Sequence, residues 1–304
     1  MASWPQFPEF KPIELGDRGF LQEVLWHYQP QASEWTFTNL FIWRSHYHFQ
    51  WSVYEKWLVV VCRSERSGHF ALQPLGPSSR LEAARMLLRW LREEKGEEEP
   101  RIVRADGRMV SEIEGAKDLL VEPTRDYFDY VYRTEDLINL AGRRYHSKKN
   151  HINRFRRSRS STYAEMEDGN LEACLEVAER WCQLRRCEED LNLLGEWEAI
   201  REALTHFRAL GVRGGVVLVD NEAQAFTHGE LLNEHVAVVH IEKADPEIPG
   251  LFAVVNQQFC ENLWGNVPYI NREEDLGEPG LRRAKESYHP HHLVEKFEIK
   301  LSRA

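Results

Sequence analysis

Apolar positions along the first half of the chain fall into short runs and short stripes. The run Trp57-Leu-Val-Val-Val-Cys62 is uninterrupted, which is the pattern of a buried strand, and 69–75 reads as its neighbour. Ser79 and Glu82 stand at capping-box spacing where Leu81, Ala84, Leu88 and Leu91 recur on one helical face, so a helix is predicted to open at Ser79 and to end in the glutamate-rich stretch 93–99. Aromatics alternating with other residues over 127–132 predict a further strand.

The second half is more regular. Leu171, Cys174, Leu175, Ala178, Trp181 and Cys182 keep one-face helical spacing. Trp197, Ile200, Leu204 and Phe207 repeat it up to Gly211, a residue suited to ending a helix. Strand-like stretches follow at 213–220, 223–231 and 235–243, the first two joined by the short turn Asp220-Asn221-Glu222 and therefore expected to form an antiparallel hairpin. A helix opened by Pro249, a strand at 267–271, a helix at 279–288 and a strand through Leu293, Phe297, Ile299 and Leu301 complete the order. No fixed-period repeat is visible. The order predicts α/β architecture with mixed sheets, not a doubly wound parallel sheet, and it is also that of the GCN5-related N-acetyltransferase fold, in which a central strand splays from its neighbour to admit an acyl donor.

Composition narrows the class. At 304 residues and 42% hydrophobic, the chain has the size of about two globular domains. The longest apolar run in its middle, 57–62, is far short of the ~20 residues of a membrane span, and 1–12 lacks the pattern of a secretory signal, so a cytoplasmic location is expected. Five cysteines with no C-x-x-C pair read as reduced thiols, and Cys174 and Cys182 as small hydrophobes on a helix stripe. Net charge is −10, which argues against a nucleic-acid coating protein. Yet 143–159 holds eight Lys and Arg and no acid, one electropositive segment on an acidic body.

Four segments carry a more specific likeness: SEWTFTNLFIWR at 33–44, YHSKKNHINRF at 145–155, HIEKA at 240–244 and NREEDLGEPGLRRAKESYHP at 271–290. Together they resemble the bacterial family of the phosphatidylglycerol lysyltransferase C-terminal-like domain, over a span from about residue 10 to the end. The resemblance implies tandem acetyltransferase-like domains, a fold that family shares with the Fem peptidyltransferases. The expected division is 1–140 and 141–304, the second domain beginning with the basic helix. The implied function is an aminoacyl or acyltransferase that moves an activated acyl group, such as that of an aminoacyl-tRNA, to an amine or hydroxyl of a small-molecule or peptide acceptor. Acetyl-CoA-dependent N-acetylation and a non-catalytic binding module are the alternatives. No tightly bound cofactor is implied, aminoacyl-tRNA or acyl-CoA serving as co-substrate.

Three places in the sequence offer the chemistry. In the basic segment, Lys148, Lys149, His151, Arg154 and Arg156 are candidates to hold a donor's phosphates, against the alternative of a solvated connector helix. In 271–288, Glu274 or Asp275 would orient or deprotonate an ammonium group, while Asn271, Arg282 and Lys285 would bind substrate. Tyr288 falls where acetyltransferase-like folds place a general acid. The structural alternative is that Glu274 and Asp275 cap the helix and pair with Arg282 and Lys285. In the strand pair, Gly229 permits close approach, Glu230 and His240 are polar groups on central strands, and Lys243 would face a developing oxyanion or sit as a strand-end lysine. His289, His291 and His292 lack metal-ligand spacing, and no G-x-S-x-G, P-loop or G-x-G-x-x-G occurs. The stretch 244–250, with two prolines, two acids and one glycine, would repel a pyrophosphate, which makes acetyl-CoA the weaker donor.

Overall fold

The computed structural model describes residues 4–64 and 67–302. In the first half, β1 (Lys11–Pro12) precedes α1 (Arg18–Tyr28), α2 (Phe37–Ile42) and α3 (Arg44–Tyr47); β2 (Gln50–Tyr54), β3 (Trp57–Ser64) and β4 (Gly68–Leu72) then run antiparallel to their neighbours. The apolar run Trp57 to Cys62 is buried throughout, as a central strand requires. Next, α4 (Leu81–Lys95) crosses to β5 (Arg101–Asp106), which lies parallel to β4, and α5 (Gly107–Ile113) leads to β6 (Leu119–Pro123). Ala84, Leu87, Leu88 and Leu91 of α4 pack on Val59, Val61, Ala71 and Ile102 of the sheet. The capping box expected at Ser79 does not form. Arg80 takes the N-cap position, and its backbone N–H and Nε both donate to Glu112 Oε2 at 2.9 Å, which fixes where the helix begins.

The second half opens with β7 (Asp129–Arg133), α6 (Thr134–Asn139) and the basic helix α7 (His146–Ser158), then β8 (Ser161–Glu165), α8 (Leu171–Arg185), α9 (Leu191–Thr205) and α10 (Phe207–Leu210). The strands β9 (Arg213–Val219), β10 (Glu222–Asn233) and β11 (Val236–Ala244) form the predicted antiparallel meander, with Asp220 and Asn221 at φ 53° and 71° supplying the twist that a two-residue turn needs. After α11 (Leu251–Leu263) come β12 (Tyr269–Asn271), α12 (Pro279–Glu286), β13 (His292–Val294) and β14 (Lys296–Leu301). Leu251, Val254, Val255 and Phe259 of α11 face Val217, Ala225 and Val239 of the sheet. Cys174 is buried on α8 as expected, whereas Cys182 forms a disulfide with Cys187 across the turn that follows, in place of two reduced thiols.

Two seven-stranded mixed sheets result, ordered β1-β2-β3-β4-β5-β14-β6 and β8-β9-β10-β11-β12-β7-β13. The two orders are the same. Each half makes an antiparallel meander, a helical crossover to a parallel strand, and a later strand, with β14 lying between β5 and β6 in the first sheet and β7 between β12 and β13 in the second. The compact units follow the sheets: unit 1 is Met1–Asp129, Glu274–Glu278 and Val294–Ala304, and unit 2 is Tyr130–Glu273 and Pro279–Leu293. The chain therefore passes from one unit to the other four times, where the sequence reading placed one boundary after residue 140. The reason is that β14 hydrogen-bonds to both β5 and β6, and such long-range pairing leaves no local trace in sequence.

In unit 2 the centre of the sheet depends on Gly229. A Cβ there would lie 2.0 Å from the Val238 carbonyl oxygen on the paired strand, whereas one at Gly19 in α1 would meet nothing within 4 Å. Gly229→Ala is expected to cost about 3 kcal/mol and lower Tm by roughly 5–10 °C, with Gly19→Ala causing no loss, as read by thermal unfolding.

Candidate active site

Unit 2 has its sheet interrupted at one point. β11 pairs with the parallel β12 only through Val236, Ala237 and Val238, opposite Tyr269, Ile270 and Asn271, and then runs on to Ala244 while the chain after β12 turns away. The register slips opposite Gly229, where Val239 is its partner and Ile241 is that of His228, so His240 is the extra residue of a bulge. Asn271 is fully buried and its Oδ1 accepts the Glu273 N–H at 2.8 Å, which starts the turn. Beyond it, Lys285 Nζ donates to the carbonyls of Arg272 and Glu273. These two residues, expected to bind substrate, hold the shape of the gap.

The charged groups fill that gap. Arg272 Nη2 meets Glu242 Oε1 at 2.9 Å, and Asn256 Nδ2 donates to Glu242 Oε2 at 3.1 Å. The ring of Tyr288 lies 4.9 Å from the Arg272 guanidinium carbon and 4.1 Å from Lys148 Nζ, so the phenol stands beside two cations. Burial raises the Tyr288 pKa, countered in part by Arg272, so it remains a proton donor. Lys148 is half-buried, and desolvation together with Arg272 lowers its pKa to about 8. Among the described residues it makes no ion pair within 4 Å. Groups tuned in this way, at the end of a parallel strand pair, suit acid–base work.

His240 lies on a different network. Its Nε2 is 3.1 Å from Glu230 Oε1 and its Nδ1 3.0 Å from Glu273 Oε1, and although burial disfavours charge the two carboxylates raise its pKa to about 9. Neighbouring His228, with ring centroids 6.0 Å apart, is fully buried with neither ring nitrogen hydrogen-bonded, and burial drops it to about 3. The structure thus brings Glu230 and His240 together as an ion pair. Lys243 is elsewhere: its Nζ is 2.7 Å from Glu196 Oε1 and 3.4 Å above the centre of the Trp181 ring. That is the environment of a structural lysine, and the oxyanion role read for it is withdrawn. Arg282 is half-buried on α12.

Glu274 and Asp275 belong to unit 1. Asp275 is fully buried, accepts the Gly277 N–H at 2.9 Å and pairs with Arg125 at 3.2 Å. Arg125 thus helps to hold the loop through a carboxylate that is too buried to act as an exposed base. Glu274 lies 3.6 Å from Lys296 Nζ, which also meets Asp129 at 2.6 Å and Glu34 at 2.7 Å. Arg104 adds a second cation at 3.2 Å from Glu34. Burial outweighs both cations at Glu34 and raises its pKa to about 7. The cluster can exchange a proton near neutrality.

On α7, Ile152 and Phe155 are buried and Lys149, His151, Arg154 and Arg156 are exposed, Arg156 donating to Gln257 at 3.1 Å. The helix backbone presses on the start of α11: a Cβ at Gly250 would lie 2.7 Å from the His151 carbonyl oxygen. An anion at that helix N-terminus would meet this oxygen, and the Leu251 and Ala253 N–H groups are already bonded to Ile248 and Gly250.

The family described as phosphatidylglycerol lysyltransferase, C-terminal, matches residues 27–300. The chain belongs to that family. Among solved structures, a conserved protein of unknown function from Bacteroides thetaiotaomicron is 32% identical with TM-score 0.89, over 96% of this chain and 99% of that one. L-PGS from Bacillus licheniformis is 13% identical with TM-score 0.65, covering 95% and 93%. A tandem GNAT protein of the clavulanic acid biosynthesis pathway is 11% identical with TM-score 0.52, covering 97% and 99%. The last two show the fold: tandem acetyltransferase-like domains. No curated protein matches the chain by sequence. No helix among the described residues is long and apolar enough to cross a membrane.

In this lysyltransferase-family chain, the sequence reading passed over Arg272, Glu242, Glu34, Asp129, Arg104 and Lys296. Arg272 and Glu242 stand inside the quoted segments at strand ends, where a charge reads as solvated. Lys296 did carry a signal, since it adjoins the apolar alternation of the final strand, but its partners at 34 and 129 are remote in sequence.

The His240 pair has a pH signature. Its folded pKa, about 9, exceeds the unfolded value of ~6.5, so the stability it contributes is fully present below pH 6.5 and is lost as pH rises through 9. His240→Gln is expected to destabilise by about 3 kcal/mol at pH 6 and by much less at pH 10. Thermal unfolding at the two pH values checks this, and an equal gap at both would show that His240 is not held charged.

Proposed function

We propose that this chain is an aminoacyltransferase that moves an aminoacyl group from the 3′ end of a tRNA to an amine or hydroxyl acceptor. Membership of the lysyltransferase family supports the reaction class. The observation that carries the reading is Lys148, an ammonium group without an ion pair, set 4.1 Å from the Tyr288 ring at the gap between β11 and β12, with its pKa lowered to about 8.

Acyl transfer from an ester needs charge stabilisation on the carbonyl oxygen and a proton for the leaving oxygen. As the acceptor nitrogen bonds to the carbonyl carbon, negative charge gathers on the carbonyl oxygen, where the Lys148 ammonium stabilises it. When the ester C–O bond breaks, Lys148 gives its proton to the departing 3′ oxygen and recovers one from the nitrogen of the new amide through water. Tyr288, whose ring lies 4.9 Å from the Arg272 guanidinium carbon, supplies a second proton donor beside it, a phenol that burial keeps protonated. Arg272 is held by Glu242, so the pair orients the phenol without adding net charge.

The donor is read as RNA-borne on two grounds. Both crossover helices begin against protein oxygens, α11 near the His151 carbonyl and α4 at the Glu112 carboxylate, which disfavours a pyrophosphate at either helix start. The exposed cations of α7, Lys149, Arg154 and Arg157 among them, present the spaced positive charge that a phosphodiester backbone attracts.

Transfer of radiolabelled amino acids from total aminoacyl-tRNA to a panel of amines, peptides and lipids tests this. Wild-type protein is expected to transfer at least one amino acid, at a rate that falls as pH rises through about 8, where Lys148 loses its proton. Lys148→Met is expected to lower kcat ~100-fold or more with Tm unchanged, and Tyr288→Phe by a smaller factor. Transfer that runs on acetyl-CoA and not on aminoacyl-tRNA would overturn the reading.

A further inference from the structure

Unit 2 contains a cavity that the transfer chemistry does not use. It lies between the end of α7, the edge strand β8, β9 and the first turns of α11, with a volume of about 260 Å³. Arg156, Arg159, Ser161, Tyr163 and Gln258 supply its polar wall, over a floor of Val217 and Val254. No carboxylate lines it.

The polar groups of this wall are under-used by the protein itself. Arg156 spends one donor on Gln257, leaving the rest of its guanidinium fork. Arg159 has a partner, Asp220 at 3.5 Å, but both side chains are more than half exposed, so the pair is loose and screened. The Tyr163 hydroxyl is buried and has no hydrogen-bond partner. Its place is built: a Cβ at Gly215 would fall 2.2 Å from that oxygen, so a glycine on the neighbouring strand is what admits the phenol. Burial raises the Tyr163 pKa, which keeps the hydroxyl a donor.

We infer that this cavity binds a phosphate group. Two guanidinium forks and the Ser161 hydroxyl line one space, and an anion with several oxygens satisfies them together, as bidentate arginine contacts to phosphate do. The inference stands apart from the aminoacyl-transfer reading. The phosphate arrives either in an RNA backbone or in a small phosphate ester, and the ligand chemistry is the same in both.

Equilibrium binding of inorganic phosphate, AMP and deacylated tRNA to the full chain decides between these. Wild type is expected to bind inorganic phosphate and AMP saturably and acetate at least tenfold more weakly. Arg156→Ala and Arg159→Ala should each weaken phosphate binding at least fivefold. Arg92→Ala, an exposed arginine of α4, should leave it unchanged and so controls for net charge. Displacement of AMP by tRNA assigns the cavity to an RNA phosphate; AMP binding that tRNA does not disturb assigns it to a small ester. Absence of saturable phosphate binding by the wild type, or equal weakening by Arg92→Ala, overturns the proposal, whereas loss of aminoacyl transfer with phosphate binding intact would not.

Discussion

An ammonium group, that of Lys285, holds the main chain where β12 departs from β11. Beyond Asn271 the backbone has left its parallel partner, and its carbonyls must find donors elsewhere or bear the cost of burial without them. Lys285 meets two of them, on Arg272 and Glu273, from the following helix. Once the chain is fixed in this turn, Arg272 faces Glu242 and Tyr288, Glu273 reaches His240, and Lys148 has a phenol to lie against. The chemistry of the gap is a consequence of strands that stop pairing.

A second feature concerns where charge is placed. The basic segment looks uniform in sequence, yet the helix sorts it: Lys148 turns inward and loses part of its affinity for a proton, while Lys149, Arg154 and Arg157 stay in solvent. Ile152 and Phe155 determine that sorting, because burying them fixes the rotation of the helix. The same packing presses the His151 carbonyl on Gly250. One amphipathic stripe therefore turns Lys148 inward, leaves the other cations of the helix in solvent and closes a helix terminus.

Much of the fold was legible in the sequence. The stripes on α8 and α11 and the Asp220-Asn221 turn are local signals, and local signals were enough to order the elements, while the tandem acetyltransferase-like fold was implied by the family resemblance of four segments. Ser79 misled because a cap is a local preference of modest energy, and Arg80 bound to Glu112 outweighs it. The return of β14 to the first sheet was invisible, since nothing near 296–301 in sequence shows that its partners lie at 101–106 and 119–123. For the candidate site, the sequence named Lys148, Tyr288, Glu230 and His240, residues whose type was unusual for their place. It could not see Arg272 with Glu242, or Glu34 with Lys296, because a charged residue becomes informative only when its burial is known.

The interleaving of β14 between β5 and β6 also sets an order of assembly. On a ribosome the chain emerges from residue 1 onward, so β1 to β6 are available long before the strand that joins β5 to β6 has been made. Until residue 296 appears, Asp129, Glu34 and Glu274 lack the ammonium group that brings them together, and the gap between two strands of the first sheet stays open. The half of the protein that is translated first thus cannot complete its sheet until the final strand has been made, and in the interval the edges of β5 and β6 lack the partner that joins them.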